Sequence, residues 1–224
     1  MPDLVAAASA ILTQSERRVE IVGQNIANAT TPAYKRRIPF VQMLNGVDGS
    51  QGTDSIVTPV VDNRPGKLVV TNNPFDLALT GPGVFALRDA NGLRFSRQGR
   101  FSRNGEGQLV DTLGGVLQLA SGGDVTVTSN DFEVRMDGTI VQKGEARGRV
   151  AVFAEVDGAA NAPAEPALAP GIRQGAYEAS NVTTGDEMVT MMEALRRAES
   201  AQRVMITYDE LMARAITTFG GSGQ

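Results

Sequence analysis

The apolar residues of this chain follow a helical period at both ends and a strand period between them. Near the N-terminus, apolar side chains recur at every third or fourth position, the spacing that places them on one face of a helix. This face comprises Val5, Ala8, Leu12, Ser15, Val19, Val22, Ile26 and Ala29. The pattern predicts a coiled-coil-like helix that ends before Pro32, because proline lacks a backbone donor and excludes Thr31 from helical geometry.

A second helical pattern begins at Thr184, where Asp186 and Glu187 favour a helix N-terminus. One apolar stripe contains Met188, Met191, Leu195, Ala198, Gln202, Met205, Asp209, Met212 and Ile216. A second stripe, on a neighbouring face, contains Ala194, Ala201, Val204, Tyr208, Leu211 and Ala215. Because a helix with two apolar stripes needs more than one neighbour, we expect it to pack against the N-terminal helix and against a helix of another molecule.

Between these helices, from Leu68 to Val156, the apolar pattern has the period of two that is typical of strands. Tight-turn dipeptides such as Asn91-Gly92 and Asp137-Gly138 separate the short apolar runs. The predicted strands are residues 67–71, 76–80, 84–88, 93–98, 108–110, 116–119, 125–128, 132–135, 139–142 and 149–156. Since no helical pattern lies between them, they predict an antiparallel all-β domain, either a sandwich or barrel-like.

The predicted fold class is therefore α+β, with N- and C-terminal helices pairing into a coiled-coil-like layer and a central antiparallel all-β domain. The predicted segments are an N-terminal helix (1–32), an extended linker (33–66), the β domain (67–157), a return loop (158–180) and a C-terminal helix (181–224). The linker is rich in turn-forming residues and is predicted to be weakly ordered; it either orders on assembly or acts as a flexible connection. The return loop is an Ala/Pro/Gly tract that is too poor in large side chains to form a core.

Composition narrows the possible functions. The chain has 224 residues, a formal net charge of −4, no cysteine and no histidine. These absences remove the usual general base, the thiolate nucleophile and the commonest zinc ligands, so we predict no catalytic residue, no metal site and no cofactor. The mild acidity argues against a nucleic-acid partner. The densest basic clusters, Lys35-Arg36-Arg37 and Arg196-Arg197, are interpreted as solvated surface.

The hydropathy pattern also argues against membrane insertion. No run approaches the roughly 20 apolar residues of a membrane span, and the first residues lack the pattern of a secretory signal. We expect a soluble protein that, if it leaves the cytoplasm, does so without a conventional signal peptide.

Four segments, in order along the chain, carry a family resemblance. They are the run from Gly23 to Lys35, the run from Asn73 to Phe85, Phe95 to Phe101 with Asn104 to Leu109, and Ala179 to Val182 followed by Glu187-Met188-Val189. They resemble the signatures of bacterial flagellar rod and hook proteins. The matching residues are Asn25, Asn28, Thr31, Pro32, Tyr34, Asn73, Pro74, Asp76, Gly81, Gly83, Phe85, Ser180, Asn181 and Val182. The chain departs from the family pattern at Ala33, where glycine is usual, and at Val84, Leu195 and Ala198.

The resemblance implies a structural subunit of the flagellar basal-body rod, nearest to the proximal-rod type, with a distal-rod or hook-like axial subunit as the alternative. It implies export from the cytoplasm by the flagellar export apparatus and a place in the periplasmic rod. It also implies polymerisation with copies of itself and with other rod proteins, and no small-molecule substrate. The residues expected to form the contacts, here called the predicted seam, are Val5, Ala8, Leu12, Val19, Val22, Ile26, Met188, Met191, Leu195, Met205, Tyr208, Leu211, Met212 and Ile216.

Three other classes of function are open from the residues alone. Paired carboxylates could hydrolyse a glycan such as peptidoglycan, but those of the β region stand beside glycine and asparagine and are interpreted as turn formers. The candidates are Glu106, Asp111, Asp131, Glu133 and Asp137. A peripheral membrane protein would use the N-terminal helix, whose polar face has no cationic excess. A secreted coat or adhesin fibre would also be a polymer of identical subunits.

Overall fold

The computed structural model describes residues 2–43, 55–154 and 171–220. The chain folds into two units, each built from segments that are distant in sequence. One unit, here called the helical unit, takes residues 1–29, 35–63 and 182–224; the other, the β unit, takes residues 30–34 and 64–181. The two terminal helices therefore belong to the same unit, as the apolar patterns predicted.

The helical unit contains an antiparallel helix pair and a β-hairpin. The helices are α1 (Pro2–Ala27) and α2 (Thr184–Gly220), and the hairpin strands are β1 (Arg37–Met43) and β2 (Ser55–Val61). The side chain of Asn25, near the end of α1, donates to Glu187 in the first turn of α2, so the two helices run in opposite directions. Neither α1 nor α2 is both long enough and apolar enough to cross a membrane.

The β1–β2 hairpin differs from the sequence prediction, which assigned a weakly ordered linker to residues 33–66. Residues 44–54 of that predicted linker lie outside the described residues. Arg37 pairs with Val61 and Met43 with Ser55 in a continuous antiparallel ladder. Pro39 lies opposite Pro59 in this ladder, and prolines inside a run count against a strand in sequence-based reasoning. A two-stranded ladder tolerates them because each strand has a free edge at which a missing backbone donor is not needed.

In the β unit, every strand pairing is antiparallel. The strands are β3 (Leu68–Val70), β4 (Leu77–Leu79), β5 (Val84–Asp89), β6 (Gly92–Ser96), β7 (Ser102–Arg103), β8 (Leu109–Val110), β9 (Val116–Leu117), β10 (Phe132–Val134), β11 (Thr139–Gln142), β12 (Glu145–Arg149), β13 (Val152–Phe153), β14 (Ile172–Gln174) and β15 (Ala176–Glu178). The predicted α+β class, with two packed helices and an antiparallel β domain, is confirmed.

Strand β5 organises the largest sheet. Along one edge it pairs with β6, and its other edge is shared by β13 and β9. From β9 the sheet continues through β8 to β7. The strands β10, β11 and β12 form a separate three-stranded sheet, and β14 and β15 pair with β4 and β3. The β5–β6 hairpin closes through a short turn in which the Asn91 N–H donates to the Asp89 carboxylate at 2.8 Å.

One apolar core fills the β unit. Its buried side chains come from most of the strands, and Phe85 and Phe101 meet edge to face with ring centroids 5.7 Å apart. The core comprises Leu77, Leu79, Phe85, Leu87, Phe101, Leu109, Leu117, Val125, Val127, Phe132, Val134, Ile140, Val150, Val152 and Ile172. Gly99 allows the chain to pass against Leu77, because a Cβ there would lie 1.6 Å from the Leu77 carbonyl oxygen.

Several details of the strand prediction were wrong. Residues 125–128 are not a strand, although Val125 and Val127 are buried, because only an isolated bridge forms there. The strand β7 was not predicted, and of β12 only the last residue, Arg149, lay in a predicted strand. The predicted return loop contains the strands β14 and β15, which are short and contain charged residues that interrupt any apolar alternation. The rest of that prediction, at residues 158–170, lies outside the described residues, as do residues 155–157 of the predicted β domain and 221–224 of the predicted C-terminal helix.

Candidate functional site

Apart from Ile21 and the polar residues described below, the most deeply buried side chains of the helix pair are small. On α1, Ala8, Ser15 and Val22 follow each other at heptad spacing, and on α2 Ala194 and Ala201 do the same. None of these residues is more than 4% exposed. Small side chains let helix backbones approach closely, so this core is narrow and covers little of either helix.

Larger apolar side chains of the helix pair remain in contact with solvent. Their exposed fractions range from 43% for Val204 to 67% for Ile216. They are Leu4, Ile11, Met188, Val189, Met192, Leu195, Val204, Ile206, Leu211, Met212 and Ile216. Single exposed apolar residues are ordinary on protein surfaces, but a set this large on one helix pair is typical of an interaction surface.

The residues of the predicted seam divide accordingly into three groups. Ala8 and Val22 are buried within the helix pair. Val5, Leu12, Val19, Ile26, Met191, Met205 and Tyr208 are half-buried, whereas Met188, Leu195, Leu211, Met212 and Ile216 are exposed. The structure therefore places part of the predicted seam inside one molecule and leaves another part free for contacts.

A buried polar cluster ties α1, α2 and β1 together. The Asn25 amide donates to Glu187 at 2.9 Å and to the Arg37 carbonyl at 2.8 Å, and it accepts from the Arg37 N–H. Glu187, which is 1% exposed, also forms an ion pair with Arg36. Because a buried carboxylate without partners is costly, this cluster fixes how the two helices meet.

Two members of this cluster were not recognised in the sequence. Arg36 was interpreted as solvated surface, which is wrong, because its guanidinium is bound to a buried carboxylate. Glu187 was assigned to a favourable helix N-terminus and to the fourth family signature, but not to a buried contact. The signal that was available is its spacing, since Glu187 stands seven residues before Ala194 and thus on the buried face of α2.

A groove of about 610 Å³ lies along the helix pair. Because α1 and α2 are antiparallel, the start of α1 lies beside the later part of α2. The groove is consequently apolar at one end and cationic at the other. The apolar end is formed by Leu4, Ile11 and Val204, and the cationic end by Arg18, Arg196 and Arg197.

The first family signature lies at the end of α1 and in the turn that follows it. The Asn28 amide donates to the Gln24 carbonyl at 2.8 Å, and the Tyr34 N–H donates to the Thr31 carbonyl. Ala33 has φ of 57°, a left-handed conformation that glycine adopts without strain. This backbone angle explains why glycine is usual there in the family that the sequence resembles.

The second signature lies in the β unit and converges on Arg97. The Arg97 guanidinium donates to the carbonyls of Gly81 and Gly83, both at 2.9 Å, and forms an ion pair with Glu178. Glu178 also accepts the Gly66 N–H at 2.8 Å. Arg97, whose side chain is only 9% exposed, thereby joins four separate segments. In the sequence, Arg97 was noted only as part of the third signature, and Glu178 was not singled out.

Four further signature residues form hydrogen bonds or apolar contacts within the β unit. The Asp76 carboxylate is buried and accepts the Thr71 hydroxyl at 2.6 Å, and Phe85 belongs to the apolar core. The Asn73 side chain accepts the Phe75 N–H. The Asn181 amide donates to the Arg64 carbonyl at 3.0 Å.

Of the carboxylates weighed as hydrolytic candidates, Asp111 and Asp137 stand in turns and form ion pairs, whereas Glu133 lies in the strand β10. Asp111 is buried, pairs with Arg94, and accepts the N–H of Gly115 at 2.7 Å. The hydrogen bonds from Thr139 lower the pKa of Asp137. Glu106, Asp131 and Glu133 are exposed. Across residues 2–43, 55–154 and 171–220, no group of acidic side chains is arranged to hold a metal ion.

Comparison with known proteins identifies the family. The family model "Flagellar basal body rod FlgEFG protein C-terminal" matches residues 173–218, and "Flagellar hook protein FlgE/F/G D1 domain" matches residues 78–142. The flagellar basal-body rod protein FlgF of Caulobacter vibrioides is 30% identical over 91% of this chain and 92% of its own length. FlgF of Salmonella typhimurium is 29% identical over 96% and 97% of the two chains, and FlgG of Bacillus subtilis is 24% identical over 90% and 93%.

These relatives cover both the helical and the β unit, and they confirm the resemblance on which the sequence interpretation depended. They are structural proteins, and their family is not known to contain enzymes. The chain therefore belongs to the family of flagellar basal-body rod proteins and is a structural, FlgF-like subunit of the rod.

Proposed function

We propose that this protein is carried by the flagellar export apparatus into the periplasm and polymerises there through α1 and α2. Its partners are copies of itself and other rod proteins, and its place is the FlgF-type proximal rod. The polymer is a hollow shaft that encloses the export channel and transmits torque. The predicted seam supplies the contacts, within one molecule at its buried residues and between molecules at its exposed ones.

The observation that carries this proposal is the incomplete burial of the helix pair. The small-residue core leaves Leu195, Leu211 and Ile216 between 46% and 67% exposed. Each apolar square ångström removed from water contributes about 25 cal/mol, so covering several such side chains stabilises an assembly by several kcal/mol before the cost of association. Neighbouring helices of other subunits supply that cover.

The shape of the helix pair favours an open polymer over a closed ring. With 37 residues, α2 is longer than α1, which has 26. The pair therefore has two different ends and two different faces. Contacts between unlike surfaces are heterologous, and they generate a filament when the rotation between copies does not close.

The change Leu195→Asp tests the proposal. Leu195 is exposed in the single molecule, so the variant should keep its helical content while association is lost, because the interface would have to bury an unpaired carboxylate. Sedimentation velocity over a range of concentrations and circular dichroism measure the two properties. Thr207→Asp is the matched control, since Thr207 is an exposed α2 residue outside both apolar stripes. Wild-type association of the Leu195→Asp variant would contradict the proposal.

A further inference from the structure

The two walls of the groove repeat one chemical pattern. On α1, Arg18 stands seven residues after Ile11, and on α2, Arg197 stands seven residues before Val204. Seven residues span about 10.5 Å of helix. Each wall thus offers a guanidinium and an apolar side chain at the same separation. Within the described part of the chain, neither Arg18 nor Arg197 has an acidic partner.

The end of α2 carries the complementary pattern. The Asn25–Glu187 contact sets the register of the helix pair, and equal rise along both helices brings the start of α1 level with roughly residue 210. The last part of α2 therefore extends past α1. There Asp209, Met212 and Ile216 lie on one helical face, and Met212 and Ile216 are 45% and 67% exposed. Asp209 forms no ion pair with any described residue.

Asp209 and Ile216 are also seven residues apart, so an acid and an apolar side chain match the groove in both spacing and charge. We propose that the groove of one copy receives residues 209–216 of a second copy. Asp209 then pairs with Arg18 and Arg197, and Ile216 packs against Ile11 and Val204. The inference rests on the proposed self-assembly and specifies the partner segment at that surface.

This docking sets the displacement between one copy and the next along the helix axis. The incoming helix runs parallel to the α2 that receives it, with its residue 209 level with residue 197. Twelve residues correspond to a displacement of about 18 Å along the helix axis. The donor end and the receiving groove are different surfaces of the molecule, so each added copy presents a new groove and growth continues. The charge pairing fixes the register, which apolar contacts alone define poorly.

Disulfide crosslinking tests the register directly, because the chain contains no cysteine of its own. Two full-length single variants, Val204→Cys and Ile216→Cys, are mixed at a concentration at which the wild type associates and are then oxidised. A mixed disulfide dimer should form at least about tenfold faster than with Glu210→Cys in place of Ile216→Cys, since position 210 lies about 120° away around the helix. Equal rates, or no mixed dimer, would overturn the inference.

Charge reversal tests the pairing. Asp209→Arg, and separately Arg18→Asp combined with Arg197→Asp, should each raise the concentration needed for association by about tenfold or more, because like charges then meet in the groove. The variant that carries all three changes should return to within about threefold of the wild type. Glu210→Arg makes the same change in net charge on another face and serves as the control. An Asp209→Arg variant no weaker than this control, or no recovery in the triple variant, counts against the pairing.

The outcomes separate this inference from the proposal that it rests on. A wild-type chain that fails to associate with itself or with other rod proteins defeats both. Association without the 204–216 crosslink, or association with other rod proteins alone, leaves the proposed function standing and overturns the docking of one copy on another.

Discussion

At the scale of single residues, the chain has Ala33 at a position where glycine is usual in its family, and the backbone conformation there explains why glycine is usual. Ala33 occupies the left-handed region, with φ of 57°, and its N–H donates to the Glu178 carbonyl at 2.8 Å. An L-residue with a side chain is strained in this conformation by about 1–2 kcal/mol. The family resemblance identified Ala33 as an unusual residue, but only the backbone angle explains why glycine is usual at this position.

The change Ala33→Gly should therefore stabilise the β unit by about 1 kcal/mol, after allowing for the greater freedom of glycine in the unfolded chain. The midpoint of urea unfolding measures this effect. Ala90→Gly is the control, because Ala90 lies in a turn without a left-handed φ and the change there should be neutral or destabilising. A lower midpoint for Ala33→Gly than for the wild type would refute the strain argument.

At the scale of elements, polar side chains join neighbouring strands of the β unit. Asp124 accepts hydrogen bonds from Arg88 on β5 and from Gln108 and Gln118, which flank β8 and β9. The hydrogen bonds from Arg88 and Gln118 hold the pKa of Asp124 below its ordinary value. A carboxyl whose folded-state pKa is depressed contributes stability above its unfolded-state pKa and loses that contribution as the pH falls through the folded-state pKa.

Acid titration of stability tests this connection. Between about pH 5 and about pH 3, the free energy of unfolding of the wild type should fall more steeply than that of Asp124→Asn, which cannot titrate at this position. Chemical unfolding at each pH gives the two slopes. Parallel slopes for the wild type and Asp124→Asn would show that Asp124 does not titrate differently in the folded state.

For the helices, the sequence pattern predicted the elements but not which of their apolar residues are buried. Periodicity predicted α1, α2 and both stripes of α2. Close packing then buried only Ala194 and Ala201 of one stripe, while Val204 and Leu211 of that stripe stay exposed. Met188 and Leu195 of the other stripe stay exposed as well. The choice depends on how near two backbones can approach, which the sequence pattern does not contain.

At the scale of the whole molecule, the two units have separate interiors. The helical unit is held by the small-residue core and the Asn25–Glu187 contact, and the β unit by its own apolar core and the Arg97 cluster. Damage to one interior should therefore be confined to its own unit.

Val22→Asp is the corresponding test, because Val22 is only 1% exposed within the helical unit. An unpaired carboxylate there should destabilise this unit by about 3 kcal/mol or more, whereas the β unit keeps its fold. Hydrogen exchange would show loss of protection in α1 and α2 and retained protection in β5 and β11. Val19→Asp, at a half-buried position of the same helix, should have a smaller effect. Loss of protection throughout the chain would mean that the units do not fold separately.

The sequence alone determined the α+β class, the positions of both helices, most strands of the β unit and the family, because apolar periodicity and turn residues are local properties. The tertiary structure decided the strand order, the β1–β2 hairpin, the inner face of α2, and the ion pairs of Arg36 and Arg97 with the buried carboxylates of Glu187 and Glu178. These features depend on residues far apart in the chain. The sequence around a charged residue does not show whether its side chain faces water or binds a partner more than a hundred residues away.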